Sequence, residues 1–382
     1  MEMDNLGKEG KRGVIEVVSK EKITKENLAQ IYTPGVAMLV KKVMDNEEAV
    51  YDCTWKGNAV AVVSDGSAIL GLGNQGPKAA LPVMEAKAAL FKELAGVNAV
   101  PIVLDTQDTE EIVSIVKSIS PGFGGINLED ISAPRCFEIS RKLEKELDIP
   151  VFHDDQYGTA IVVLAGLINA AKIVKKDLKK LEIRISGAGA AGLAIADLLL
   201  EEGCNEITLF DSKGAIYEGR TDLNQEKKKI AKITNKTSFK GTLQESLYKA
   251  DVFIGVSAKN LLTADDIRGM NEDAIVFALA NPEPEILPKE ALRADNIGII
   301  ATGRSDFSNQ INNALVFPGI FKGALQNRTV EITNKIKIEI AKALANLIKQ
   351  PTKDRIISDV VDKGVVPAIV NVFERVYKEH KQ

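Results

Sequence analysis

The feature that most constrains this chain is a run of small residues, Gly187-Ala188-Gly189-Ala190-Ala191-Gly192, between the apolar stretch LEIRIS at 181–186 and the helical run LAIADLLLEEG at 193–203. At a strand-to-helix turn, side chains this small let a pyrophosphate approach the backbone where a helix begins, so the segment reads as a dinucleotide loop. Nineteen residues after Gly192, Asp211 ends the next apolar stretch, EITLF, where an acidic side chain accepts hydrogen bonds from the adenosine ribose. That favours NAD over NADP. Lys213, two residues on, pulls the other way, because a cation there can pair with a 2′-phosphate. A glycine turn that only packs helix on sheet is the plainer alternative, and the strand and helix around the loop argue against it.

Two alternating series of apolar stretches frame this loop. From Leu181, LEIRIS is followed by EITLF, DVFIGV, AIVFALA and IGIIAT, which reads as a parallel sheet with intervening helices. Upstream, NAVAVV, VPIVLD, GGINLE and IPVFH alternate with helices predicted over 109–119 and 134–146. GVIEVVSK at 13–20 also reads as a strand, and Asp65-Gly66 as a hairpin turn. The charged stretch Lys175 to Lys180 separates the series, and helical periodicity from about Thr329 predicts closing helices. The expectation is an α/β protein of two domains: residues 1–157, then residues 158–382, a Rossmann-type doubly wound parallel sheet with linking and C-terminal helices.

The bulk properties narrow the function classes. Net charge is -4 over 382 residues and the charges are dispersed, which argues against nucleic acid. The longest apolar stretch, Ala160 to Ala171, is well short of the roughly 20 residues a membrane span needs and reads as a buried helix. The opening MEMDNLGKEGKR has neither the apolar core of a secretory signal nor a transit-peptide bias, so a cytoplasmic location is expected. Cys53, Cys136 and Cys204 fall in no metal-ligand spacing. Of two histidines, His380 lies in a Lys-rich tail, leaving His153 as the one candidate for imidazole chemistry.

Acid and base chemistry must therefore rest on other residues. Glu129 and Asp130 follow the stretch GGINL, and Asp154 and Asp155 follow IPVF and His153. Carboxylates at the carboxyl ends of two strands point into the crevice where α/β proteins bind ligands, and such a cluster repels itself unless a cation is present. An oxygen-only ligand set favours Mg²⁺ or Mn²⁺ over zinc. Capping of the following helices by Asp130 and Asp155 is the alternative. Lys87 lies on the apolar stripe of a helix predicted from about Pro77 to Leu94, where desolvation lowers the pKa of an ammonium towards that of a general base. A snorkelling lysine has the same pattern. Tyr32 precedes Thr33-Pro34-Gly35, where proline begins a predicted helix and a phenol can be exposed at its start; a packing residue is the plainer alternative.

Taken together, YTPGVA at 32–37, SDGSAILGLGNQGPKAALPVMEAK at 64–87, NLEDISAPRCFEI at 127–139, FHDDQYGTAIV at 152–162 and GAGAAG at 187–192 closely resemble the malic enzymes. FALANPEPEI at 277–286 and ATGRSDFSNQINNALVFPGIFKGAL at 301–325 extend the resemblance over nearly the whole chain. The resemblance implies oxidative decarboxylation of malate to pyruvate, with Tyr32 as general acid and Lys87 as general base. It implies Glu129, Asp130 and Asp155 as ligands of Mg²⁺ or Mn²⁺, with Asp154 in support. Asn281 and Asn313 match positions that contact substrate and the nicotinamide end; Gly187 to Gly192 and Asp211 match the coenzyme site. The first domain is then the one that binds malate and metal.

Two departures qualify the match. Larger malic enzymes carry an arginine where this chain has Ala68, so its grip on a substrate carboxylate must differ. Some bacterial members continue into a phosphotransacetylase-like domain, for which this length leaves no room, so the short form is expected, as a homodimer or higher assembly. A malolactic enzyme, which returns the hydride to give lactate, shares the scaffold. A non-catalytic dinucleotide-binding regulator would leave Lys87 and the acidic cluster without a purpose.

Overall fold

A computed structural model describes residues 13–381. Four strands form the first sheet: β1 (Ala59–Ser64), β2 (Asn98–Val103), β3 (Gly125–Leu128) and β4 (Val151–His153), all parallel, in the order β2-β1-β3-β4. β1 is buried along its whole length, as the unbroken apolar run AVAVV requires of a strand covered on both faces. The order reverses between β1 and β3, so the carboxyl ends of these strands open a crevice.

The second sheet holds β5 (Glu182–Ser186), β6 (Glu206–Asp211), β7 (Gly214–Ala215), β8 (Val252–Gly255), β9 (Ala274–Ala278) and β10 (Ile297–Thr302), in the order β10-β9-β8-β5-β6-β7. All five apolar stretches read from the sequence are its parallel strands. The addition is β7, two residues antiparallel to β6, too short for periodicity to reveal. Here the order reverses between β5 and β8, the place where doubly wound sheets bind dinucleotides.

Two expectations near the N-terminus fail. GVIEVVSK forms no strand: residues 14–18 have no regular structure and are largely exposed. Asp65-Gly66 makes no hairpin, because its sheet is wholly parallel and the chain instead loops back so that Gln75 and Gly76 donate to the Gly66 carbonyl at 3.1 Å each. Alternation alone cannot supply a strand with a neighbour to pair with.

The helix Thr159–Ile173 joins the two sheets. It is apolar enough over residues 154–173 to cross a membrane by length and composition, yet Ala160 to Leu167 are buried, so it is a core helix. Helix Asn334–Leu347 packs on it. Helix Phe317–Asn327 turns back to the first sheet, its Phe317 and Phe321 rings 4.7 and 5.5 Å from that of Phe91 in helix Pro77–Ala95. One hydrophobic core therefore runs through both sheets, and a smaller cluster under Phe210 and Phe253 fills the far face of the second.

Candidate active site

The carboxyl ends of β1, β3 and β4 deliver Asp65, Glu129, Asp130 and Asp154 into the crevice, buried to within 3% exposure, with Asp155 half-buried beside them. One carboxylate oxygen from each of Glu129, Asp130 and Asp155 lies within 4.8 Å of the other two. Neither aspartate caps a helix. Asp155 Oδ2 accepts a 2.8 Å hydrogen bond from the Asp130 amide, and the helix after Asp130 begins only at Arg135. Asp130 adopts a left-handed backbone (φ 53°), held by that bond and by the 2.9 Å bond from the Ala68 amide to its carbonyl.

The charge balance is the informative part. Burial pushes the Asp130 carboxyl up to about 7, with Asp155 beside it adding to the effect. Burial and Asp155 likewise hold Glu129 well above the usual carboxylate range. Asp130 Oδ2 is buried and has no hydrogen-bond partner. Three acids, one carrying an orphaned oxygen and with more negative charge than the protein's own cations balance, form an oxygen donor set suited to a hard divalent ion.

Lys87 meets this cluster from helix Pro77–Ala95. Its ammonium hydrogen-bonds Asp154, lies 2.9 Å from Glu129 Oε2, and sits 4.2 Å from the centre of the Phe317 ring. The sequence predicted a lysine of lowered pKa, and the structure reverses the sign: burial pulls the ammonium down, but Asp154, Glu129 and Asp155 raise it above its ordinary value. At about 3 Å and an effective dielectric near 20, each carboxylate contributes about 5 kcal/mol, so two in contact outweigh the desolvation of one ammonium. Asp154 itself is lifted by burial to about 6 although Lys87 opposes the shift. Its second oxygen, Oδ1, has no partner, and Gly158 is glycine because a Cβ there would stand 1.9 Å from that oxygen.

The remaining candidates fall around this centre. Asn313 lies next to Gly158, starting the short 3₁₀ turn Asn313–Leu315. Asn281, just beyond β9, has its carbonyl against Gly71 of the first domain, so the loop after Ala68 and the end of the second sheet close on each other. His153 is fully buried, with Nδ1 2.6 Å from Gln156 Nε2 and Nε2 3.6 Å from Asp155 Oδ2, a supporting rather than a ligating place. Tyr32 is the exception. It ends the short helix Leu28–Ile31, with the next helix starting at Val36 rather than at Pro34, and is 68% exposed; no contact places it beside Lys87.

The glycine loop forms the tight strand-to-helix turn expected of it. Gly189 caps helix Ala190–Glu202, Ala190 and Ala191 open its first turn, and a Cβ on Gly192 would stand 1.7 Å from the Gly187 carbonyl. A cavity of about 1000 Å³ lies over this turn, lined by Gly187, Ala188, Gly189, Asp211, Lys227 and Ser257. Asp211, expected as a free acceptor, is already engaged: Arg220 donates to both its oxygens at 2.8 and 3.0 Å, and Lys227 to Oδ2 at 2.6 Å. Burial opposes ionisation, but these bonds hold Asp211 below the usual carboxylate range. Lys213 pairs with Asp222 instead, at 2.9 Å.

Sequence reasoning missed Asp65 and Arg135. Arg135 donates to Asp65 Oδ2 at 2.7 Å and to Ser67 Oγ at 3.0 Å, while its buried Nε has no partner. It thus brings a guanidinium to the segment where Ala68 left none. The signal was the buried Asp65, which needs a counter-charge once hairpin and turn are ruled out.

Two family models match the chain: the malic enzyme N-terminal domain over residues 10–144 and the malic enzyme NAD binding domain over residues 156–363. The chain is 52% identical over 367 residues to an NAD-dependent malic enzyme of Geobacillus stearothermophilus, covering 95% of this chain and 75% of that protein. It is 49% identical to a bifunctional malic/malolactic enzyme of Bacillus subtilis (strain 168), covering 96% and 90% of the two. Among solved structures, an NAD-dependent malic enzyme from Thermotoga maritima is similar with a TM-score of 0.91 at 46% identity, covering 95% and 96%.

Proposed function

The chain belongs to the malic enzyme family, and on that premise we propose that it oxidises malate with NAD and decarboxylates it to pyruvate, using Mg²⁺ or Mn²⁺ held by Glu129, Asp130 and Asp155. The observation that carries this reading is the buried Lys87 set against a cation-poor carboxylate cluster with an orphaned Asp130 oxygen. When bound, the divalent ion supplies positive charge that draws electron density as CO₂ leaves, and the dinucleotide accepts the hydride from C2.

The chain's own residues supply the rest. Lys87 must lose a proton before it can take one from the C2 hydroxyl, and Asp154 is the acceptor in contact, its carboxyl already lifted to about 6. Positive charge on Glu129 and Asp155 would weaken the field that keeps Lys87 protonated, which supports its role as base. Arg135 and Asn313 border the space for the substrate. Gly187 to Gly192 hold the pyrophosphate. Asp211, with Arg220 and Lys227, faces the adenosine ribose and leaves room for NADP as a poorer alternative.

Tyr32 is assigned proton donation to C3, and its exposure supports a homodimer in which the N-terminal segment is covered. Helix Val36–Asp45 buries none of its residues, and Val17, Met38 and Met44 are each more than 75% exposed. Sedimentation of the full chain as a monomer would overturn the dimer. The assignment of activity is tested by steady-state kinetics crossing malate, NAD, NADP and each metal. Metal-dependent formation of pyruvate with stoichiometric reduced coenzyme is expected. Lactate without net coenzyme reduction would instead favour the malolactic reading, which the bifunctional relative keeps in view.

A further inference from the structure

A second cavity, of about 360 Å³, lies behind the carboxylate crevice. Its walls are Glu144 in the last turn of helix Arg135–Glu146, Phe152 of β4 with Tyr157 of the turn after it, and Glu331, Asn334 and Lys337 around the start of helix Asn334–Leu347. None of these side chains serves the chemistry proposed above.

Lys337 is the anomaly. It is only 6% exposed, yet it forms no ion pair among the described residues. Its ammonium donates one hydrogen bond, to Asn334 Oδ1 at 3.1 Å, and lies 3.4 Å from the centre of the Tyr157 ring. An ammonium has three protons to donate, so most of its capacity is unspent. Burial pushes Lys337 down to about 8 although Glu144, Asp197, Glu331 and Glu201 all oppose that shift. A buried ammonium held only by one amide oxygen and a ring face is costly to keep charged, and the cavity beside it has room for an anionic partner. On the opposite wall Glu144 accepts one hydrogen bond, from Ser140 Oγ at 2.7 Å, and both it and Glu331 are exposed enough to meet an entering ligand from the solvent side.

We propose that this cavity binds an amino acid with an uncharged side chain, as its zwitterion, the carboxylate on Lys337 and the Tyr157 hydroxyl, the ammonium on Glu144 and Glu331. The Thr333-capped start of helix Asn334–Leu347 adds a positive potential on the carboxylate side. A dicarboxylate or a phosphate fits less well, since acids around the cavity already outnumber its one lysine. A simple cation is repelled by Lys337. The volume is at the lower end of small-molecule pockets, which suits a ligand of this size.

Occupancy has a route to the catalytic crevice. Tyr157 stands two residues beyond Asp155 on the five-residue π-helical turn Asp154–Gly158, so a ligand seated on its hydroxyl braces the turn that carries Asp155. Bound amino acid should therefore tighten Mn²⁺ binding, and by linkage Mn²⁺ should tighten the amino acid by the same factor. This coupling rests on the reading of Glu129, Asp130 and Asp155 as metal ligands. The binding itself does not.

The test is calorimetric titration of the full chain with L-alanine, L-serine and L-glutamine, and with the two half-ligands acetate and methylammonium. At least one amino acid should saturate with a Kd of about 1 mM or tighter, at least about tenfold below either half. Lys337→Met should abolish that binding, and Tyr157→Phe and Glu144→Gln should each weaken it about tenfold. Tyr157→Phe removes one oxygen and keeps the ring, which guards against a folding failure in the lysine variant. No saturation by any of the three at about 50 mM would overturn the site, as would binding unchanged in all three variants. Acetate binding as tightly as the amino acids would overturn the zwitterion. Intact binding with no change in Mn²⁺ affinity would overturn the coupling and leave the site standing.

Discussion

Two acidic centres lie at the carboxyl ends of the two sheets, and they solve the burial of charge in opposite ways. At the end of β6, Asp211 is met by Arg220 and Lys227, and its carboxyl is held low. At the ends of β3 and β4, Glu129 and Asp130 are buried beside Asp155 with Lys87 alone to answer them, and burial holds both carboxyls high. The first centre is complete as the chain folds it. The second, on the reading proposed above, is completed by a divalent cation, so the same residue type would mark a preformed rim in one domain and a metal-dependent centre in the other.

The comparison is put under greatest strain by removing one acid from the incomplete centre. Asp155→Ala should abolish metal-dependent turnover while leaving NAD binding within about threefold of the parent, because the glycine loop lies on a different sheet. Fluorescence titration with reduced coenzyme alongside the assay checks both halves. Normal turnover in the chelator-treated variant would dissolve the distinction. Lys87→Ala comes next, with a loss of malate oxidation of about 10²-fold or more, the usual contribution of a positioned acid or base. Since the ammonium is buried against Phe317, native-like unfolding and coenzyme binding of the variant must accompany the rate.

The pH dependence of stability sharpens the contrast. Asp130 rises from 3.8 unfolded to about 7 folded, so the metal-free protein holds that proton more tightly than the unfolded chain does. A raised carboxyl contributes stability that is fully present below 3.8 and is lost as pH climbs through about 7. Between those limits, rising pH should lower the Tm of metal-free protein, and saturating Mn²⁺ or Asp130→Asn should flatten the slope. Asp211 predicts the reverse sign in a lower window, since its lowered carboxyl adds stability that is fully present above 3.8 and is lost as pH falls below that value. Thermal scans of Asp130→Asn between pH 3.8 and about 7, and of Asp211→Asn below 3.8, separate the two; a slope unchanged in Asp130→Asn would show that the crevice carries no such strain.

What the sequence made legible divides along similar lines. The parallel strands were visible because a strand buried on both faces reads as an unbroken apolar run, and the glycine loop because its packing admits no side chain at Gly192. The acids of the crevice were visible because strand ends face the ligand cleft. The sign of the Lys87 shift was not: periodicity showed the burial, but the partners, Asp154 and Glu129, lie 67 and 42 positions away, and only the parallel packing of β1, β3 and β4 brings them together. Arg135 and Lys337 stayed hidden for the same reason. Each sits in an ordinary helical stretch whose meaning depends on what another element places opposite it.

The smallest expected effect tests the completed centre. Because Arg220 and Lys227 already engage Asp211, its carboxylate has less to give a ribose hydroxyl than a free one, and both cations are poised for a 2′-phosphate. Asp211→Ala should therefore raise the KM for NAD by only about three- to tenfold, the loss of one or two hydrogen bonds, while lowering that for NADP as Lys227 is released and Arg220 is left paired with Asp222 alone. Arg220→Ala should move the pair the other way, leaving NAD nearly unchanged and weakening NADP. If both variants left the ratio of the two KM values where it was, Asp211 would be a structural anchor of the edge hairpin β6–β7 and discrimination would lie elsewhere. A reversal in Asp211→Ala without one in Arg220→Ala would assign the 2′-phosphate to Lys227 alone, whose Nζ is 2.6 Å from the same carboxylate.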